Sequence, residues 1–369
     1  MMGAWATAPA WACSVPVFRW ALERWTPDAY DLAVFHRGPL AADDQRLVDA
    51  VTARAKDQEK PANLEVHLVD VDTGLDEEWA ALWGTQGDVT LPWAVLRSPK
   101  GFRYSSVVWA GSVQTLSPDA LFDSPQRTEI VRRILEGESA VWVLLESGDL
   151  AKDDAAAQLL RERLAGLQKT LRLPDMTGDP VLSGREAPDV SDLRVAFSLL
   201  RVSRHDPVED MLVRMLLGSE PDLASMQEPI ALPVFGRGRV LYAFVGAGIN
   251  AENVAEGCAF LVGRCSCEIK EANPGTDLLT AADWEGEISS FQVVREIVLP
   301  PLPGAAGIAA APAPDLSPAQ TPPEEARAAP PAAVRASKSA VPRNVLAVVA
   351  VVVGVAIVAT LATMGKNLT

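Results

Sequence analysis

The chain has 369 residues, enough for two domains with extensions. A net charge of −15, with no run of clustered Lys and Arg, excludes a surface built to contact nucleic-acid phosphates. Four cysteines (Cys13, Cys258, Cys265 and Cys267) are too few for a disulfide scaffold of this size, and their spacing with His36, His67 and His205 fits no zinc site.

The N-terminal stretch MMGAWATAPAWAC contains Ala10-Trp11-Ala12, an A-x-A pattern of the kind cut by signal peptidase. The basic n-region and long apolar stretch of a signal peptide are missing. Residues 1–12 are therefore either a truncated signal remnant or no signal at all. From Ser14 onward, helix and strand patterns alternate, which predicts an α/β fold. VPVFRWALERW places Val17, Trp20, Ala21 and Leu22 near one helical face. YDLAVFHR reads as a short buried strand. AADDQRLVDAVTARAKDQ reads as a helix with Asp43 and Asp44 favourably placed in its first turn. NLEVHLVDVD alternates as a strand, DEEWAALWG is a short helix, and LPWAVLRSPKGFRYSSVVWAG is a hairpin turning at Ser98-Pro99-Lys100-Gly101.

The same order then returns. PQRTEIVRRILEGE is a helix, SAVWVLLESG a strand and DAAAQLLRERLAGLQKTL a long helix. After a Pro/Gly loop over residues 173–191 come a strand, DLRVAFSLLRV, and a helix, PVEDMLVRMLLG, with Pro207 suited to its first turn. The hairpin PIALPVFGRGRVLYAFVG follows, and NAENVAEGCAFLVG closes the unit as a helix with Asn250 as N-cap.

Three short stretches, among them Ser98-Pro99-Lys100-Gly101 at the tight hairpin turn, and the order of elements carry a family resemblance. His36-Arg37-Gly38-Pro39-Leu40 lies at a strand-to-helix turn, and Leu91-Pro92 precedes the next hairpin. This arrangement resembles the thioredoxin fold, taken twice over residues 13–264. The family has Trp-Cys-Gly-Pro-Cys where this chain has residues 36–40, and a cis-proline where it has Pro92. In the second copy Glu146-Ser147-Gly148-Asp149 holds the turn and Pro229 the cis-proline slot. Thiol–disulfide exchange needs a thiolate at that helix start and a second thiol nearby. Arg37 and Leu40 supply neither, and the second turn also lacks cysteine, so both turns read as redox-silent with no catalytic residue and no cofactor. The resemblance implies that such copies bind peptides or proteins in the groove beside the cis-proline. The expected binding residues are His36, Arg37, Gly38, Pro39, Pro92, Trp93 and Pro229.

The domains expected are a first copy over residues 13–120 and a second over residues 121–299. Residues 300–342 form a Pro/Ala-rich linker, disordered and unable to bury a core. Residues 343–369 hold a transmembrane anchor and short tail: the uncharged run from Val345 to Met364 is long enough to cross a bilayer. The cleavage-like start argues for an extracytoplasmic folded part. Arg335, Lys338 and Arg343 before the anchor argue for a cytoplasmic, tail-anchored one. The expected partner is a membrane-associated protein of unknown identity.

Other readings stay open at this level. His36 is either an acid/base group or a polar residue at a turn tip, and Arg37 a binder of an anionic group. Cys13, Cys258, Cys265 and Cys267 are candidates for a disulfide or for free thiols. Cys265-Ser266-Cys267 offers an alternative thiol-disulfide or copper-handling site, although two thiolates make an incomplete metal site. Gly246-Ala247-Gly248 mimics the start of a dinucleotide fingerprint but lacks its third glycine. Trp79, Trp83 and Trp93 are either core residues or an aromatic surface beside the groove.

Overall fold

A mixed α/β protein with two sheets results, seen in a computed structural model that describes residues 14–99, 105–176, 193–265 and 270–289. Helix α1 (Val17–Arg24) precedes β1 (Tyr30–His36), α2 (Ala42–Ala55), β2 (Leu64–Asp70), α3 (Glu77–Gly84), β3 (Trp93–Arg97) and β4 (Val107–Ser112). The first sheet has the order β2-β1-β3-β4, with β1 and β2 parallel and the rest antiparallel. Helices α4 (Pro118–Phe122) and α5 (Pro125–Leu135) lead to β5 (Ala140–Glu146), α6 (Leu150–Thr170), β6 (Phe197–Ser203), α7 (Asp210–Leu217) and β7 (Ile230–Phe235). Two-residue strands β8 (Arg239–Val240) and β9 (Phe244–Val245) both pair with β7, and α8 (Ala251–Val262) follows. β10 (Thr276–Asp277) and α9 (Trp284–Ser289) complete the described chain. The second sheet runs β10-β8-β7-β5-β6, so β6-β5-β7-β8 repeats the first sheet's order.

Local chemistry accounts for the helix starts. Asp76, Ser117, Ser124, Asp149 and Asn250 each accept a backbone N–H of the following turn, which satisfies donors the helix leaves unpaired. Pro118 and Pro125 follow their capping serines at positions where no amide proton is needed. Pro207 starts a single 3₁₀ turn capped by Asp206, and the α-helix begins only at Asp210.

Packing departs from two independent copies. Leu32, Val34 and Leu96 of the first sheet, Val48 and Val51 of α2, Ile130 of α5, Leu212 and Leu216 of α7, and Val143 and Leu232 of the second sheet belong to one continuous core. The expected boundary between residues 120 and 121 therefore falls inside α4, whose Leu121 and Phe122 are buried in that shared core. Among the described residues, the other face of the first sheet is covered by α3 and the loops flanking it, around Phe35, Val69, Leu82 and Val95. The other face of the second sheet carries α6, α8 and, unexpectedly, α1: Val17, Phe18, Trp20 and Trp25 pack with Trp142, Leu160 and Phe235. Helix α1 belongs to the second sheet because Val17, Phe18, Trp20 and Ala21 are buried there and Arg237 donates to the carbonyls of Leu22 and Glu23 at its C-terminal end.

The last described segment reaches back across both sheets. β10 pairs with β8, while Asn63 donates to the Leu278 carbonyl and accepts from the Thr280 amide. Among the described residues no helix is long and apolar enough to cross a membrane. The expected linker and the Val345–Met364 run lie outside the described residues, as do residues 1–12, Cys13, Cys267 and the hairpin-turn residues Lys100 and Gly101.

Candidate functional site

Parallel pairing of β1 with β2 ends at His36, and the chain must then turn into α2. Gly38 makes that turn at φ 61°, a left-handed conformation that favours glycine. The His36 imidazole folds over the turn, with Nδ1 2.7 Å from the Gly38 carbonyl. A carbonyl only accepts, so Nδ1 carries the proton, and Nε2 of the neutral ring is left as an acceptor. Arg37 points its guanidinium at Asp72, 3.0 and 3.1 Å from the two carboxylate oxygens. The charge expected to bind an anion is thus already matched by an exposed aspartate.

Facing this turn is the cis peptide Leu91–Pro92, which leads into β3. Between them lies a cleft of about 610 Å³, lined by His36, Arg37, Pro39, Leu40, Asp44 and Pro92, with Trp83, Asp88 and Val89 from the α3 side. The sequence-predicted residues His36, Arg37, Pro39 and Pro92 are therefore brought together, with Gly38 in the turn. Trp93 is not in the cleft: it lies on the α3 face and donates Nε1–H to Gln86 at 3.2 Å. Of the three tryptophans considered for an aromatic docking surface, Trp83 alone lines the cleft, packed on Phe35.

Asp44 is the residue that turn chemistry overlooks. It is 4 % exposed, and its Oδ1 is buried without a hydrogen-bond partner. The signal for its burial was in the sequence: Asp44, Val48, Val51 and Ala55 form the buried stripe of α2 at helical spacing.

The second copy is built differently at the same place. Gly148 again makes a left-handed turn, at φ 95°. Here Asp153 accepts from the Ser147 amide (2.8 Å), the Ser147 hydroxyl (2.8 Å) and the Gly148 amide (3.0 Å). Pro229 precedes β7 as Pro92 precedes β3, and its carbonyl accepts from Gly246 at 2.9 Å as that of Pro92 accepts from Val113 at 3.2 Å. The peptide before Pro229 is not cis, contrary to the expected slot. Lys152 of α6 reaches Glu228, 2.7 Å away, which places an ion pair beside Pro229.

The remaining candidates separate from the cleft. Cys258 is a fully buried thiol, and burial pushes its pKa up to about 12, the reverse of an activated cysteine. Cys265 is 1 % exposed in the same core, and its backbone N–H donates to the Val15 carbonyl at 2.9 Å, so it is not part of an exposed Cys-x-Cys pair. The glycines at 246–248 form a 3₁₀ turn, and Asn250 itself caps the following helix, which leaves no phosphate cradle there. Asp31, Glu65 and His67 bring ligand atoms within 4.8 Å of one another, and Arg97 donates to Asp31 at 2.6 Å beside them. Compared with known proteins, the chain matches no family model, no curated protein and no solved structure.

Proposed function

We propose that this chain is a membrane-anchored, redox-inactive, thioredoxin-like binding protein whose first copy holds an extended segment of a membrane-associated partner protein. The cleft between the His36–Leu40 turn and cis-Pro92 carries this reading, because it is open, of peptide size and contains no thiol. The repeated sheet order and the glycine turn after the first strand of each copy support the family likeness. The apolar run from Val345 to Met364 supports the anchor, and the Ala10-Trp11-Ala12 pattern supports an extracytoplasmic folded part. Scaffolding within a membrane complex follows from one binding cleft set on a Pro/Ala stalk.

Photo-crosslinking tests the proposal. A benzophenone amino acid at Leu40 should capture a defined partner in cells, whereas the same group at Val208, exposed on the second copy, should not. Equal capture at both positions, or none at Leu40, would overturn it.

A further inference from the structure

We infer that the cleft of the first copy selects a cationic side chain, the ammonium of Lys or the guanidinium of Arg, from the segment it binds; this rests on the peptide-binding reading above. Buried carboxylates are normally paired or multiply hydrogen-bonded, because a bare one forfeits its hydration. Asp44 lines the cleft with Oδ1 buried and unpartnered.

The second copy shows how this chain completes the same arrangement from within. Asp153 is 1 % exposed and takes three donors from its own turn. Lys152 pairs with Glu228 beside Pro229, and Arg204 donates to the carbonyls of Met226 and Glu228. Two cations of the chain thus lie beside Pro229, on Glu228 and the neighbouring carbonyls. In the first copy the equivalent turn gives its Gly38 carbonyl to His36, and Arg37 is turned to Asp72. What remains along the cleft is Asp44, Asp88 and the His36 imidazole, whose Nε2 accepts when neutral. These side chains accept hydrogen bonds, so the ligand must donate them. Leu40, Trp83, Val89 and Pro92 offer apolar walls for the aliphatic stem of a long basic side chain. A net charge of −15 favours approach of a cation.

Fluorescence anisotropy on the full chain in detergent micelles, with fluorescein-labelled Ala/Ser pentapeptides carrying a central Lys, Arg, norleucine or Glu, tests the inference. Lys and Arg peptides should bind at least about tenfold tighter than norleucine, and added salt should weaken that preference. Asp44→Asn should abolish the preference with no loss in melting temperature. Asp88→Asn, at an exposed position, should reduce it by about threefold. Equal binding of the Lys, norleucine and Glu peptides, or a preference that survives Asp44→Asn, would overturn the cation site and leave peptide binding standing. If no peptide binds, the peptide reading fails. Methylguanidinium titration, followed by amide NMR shifts at Asp44 and Leu40 in the wild type and Asp44→Asn, then decides the cation site by itself: shifts lost in the variant sustain it, and no shifts overturn it.

Discussion

Tyr30 and Asp277 meet across 247 residues of sequence: the Tyr30 hydroxyl donates to the Asp277 carbonyl at 3.0 Å. The Asp277 carboxylate, 3 % exposed, also takes the Asp28 amide at 2.6 Å, Arg239 at 3.2 Å and Lys270. Removing the carboxylate leaves two buried cations with Asp28, 41 % exposed, as their remaining counter-ion, so Asp277→Ala should cost about 3 kcal/mol of unfolding free energy. Tyr30→Phe, which removes one hydrogen bond, should cost about 1 kcal/mol. Urea denaturation monitored by tryptophan fluorescence checks both. Equal costs would show that the ion pairs contribute nothing beyond the hydroxyl.

Gly236 has φ 58°, and a β-carbon there would lie 2.8 Å from the Ala21 β-carbon. Gly236→Ala should therefore lift α1 from the β7–β8 turn and destabilise by about 2–3 kcal/mol, combining left-handed strain with overpacking. Trp20 of α1 and Trp25 at its C-terminal end, both buried against the second sheet, should become more exposed, and a red-shifted emission spectrum reports it.

Much of the fold was legible from the chain alone because each element announces itself locally. The alternating runs became β1 to β7, and Asn250 caps α8 as expected. What local patterns do not specify is which sheet an element joins. Helix α1 is buried nearly all round, Arg19 and Glu23 included, and its one apolar face does not say which sheet it covers; it packs on the second. β10 is two residues long and held by Arg239, Lys270 and backbone contacts, features without a short-range signature. At the site, His36, Gly38 and Pro92 were readable as turn chemistry. Asp44 was read only as a charge favourable to a helix start, although its phase with Val48 and Val51 placed it inside.

Glu138, about half-buried, accepts from the Ser198 hydroxyl, and burial raises its pKa above the usual carboxylate range despite that bond and the nearby Arg133. A raised carboxyl binds its proton more tightly folded than unfolded. Its stabilising contribution is thus complete below the ordinary Glu range and lost as pH rises through the folded value. Glu138→Gln should be more stable than the wild type near neutral pH, and the difference should vanish on acidification below the ordinary range. Thermal melts of both proteins across that range check it. A constant difference would assign the effect to packing.

Cys258 should resist maleimide near pH 8 in the folded protein and react once guanidinium unfolds it, because burial pushes the thiol up to about 12. That inertness gives a clean background for topology. In a Cys13→Ser/Cys267→Ser chain, Leu68→Cys, at a position 51 % exposed, should be labelled by a membrane-impermeant maleimide on intact cells. Labelling only after lysis would place the folded part inside the cytoplasm.

The clasp made by β10 has a consequence for how the protein is born. Asp28 cannot find Asp277 until the ribosome has added the 249 residues that follow it up to Asp277. At typical elongation rates of about 5–20 residues per second, the first sheet waits roughly 12–50 s for its partner. During that wait the N-terminal helix, the first sheet and the inner core face stand unfinished. A nascent chain of this protein is a natural client for whatever shields exposed apolar surface during translation.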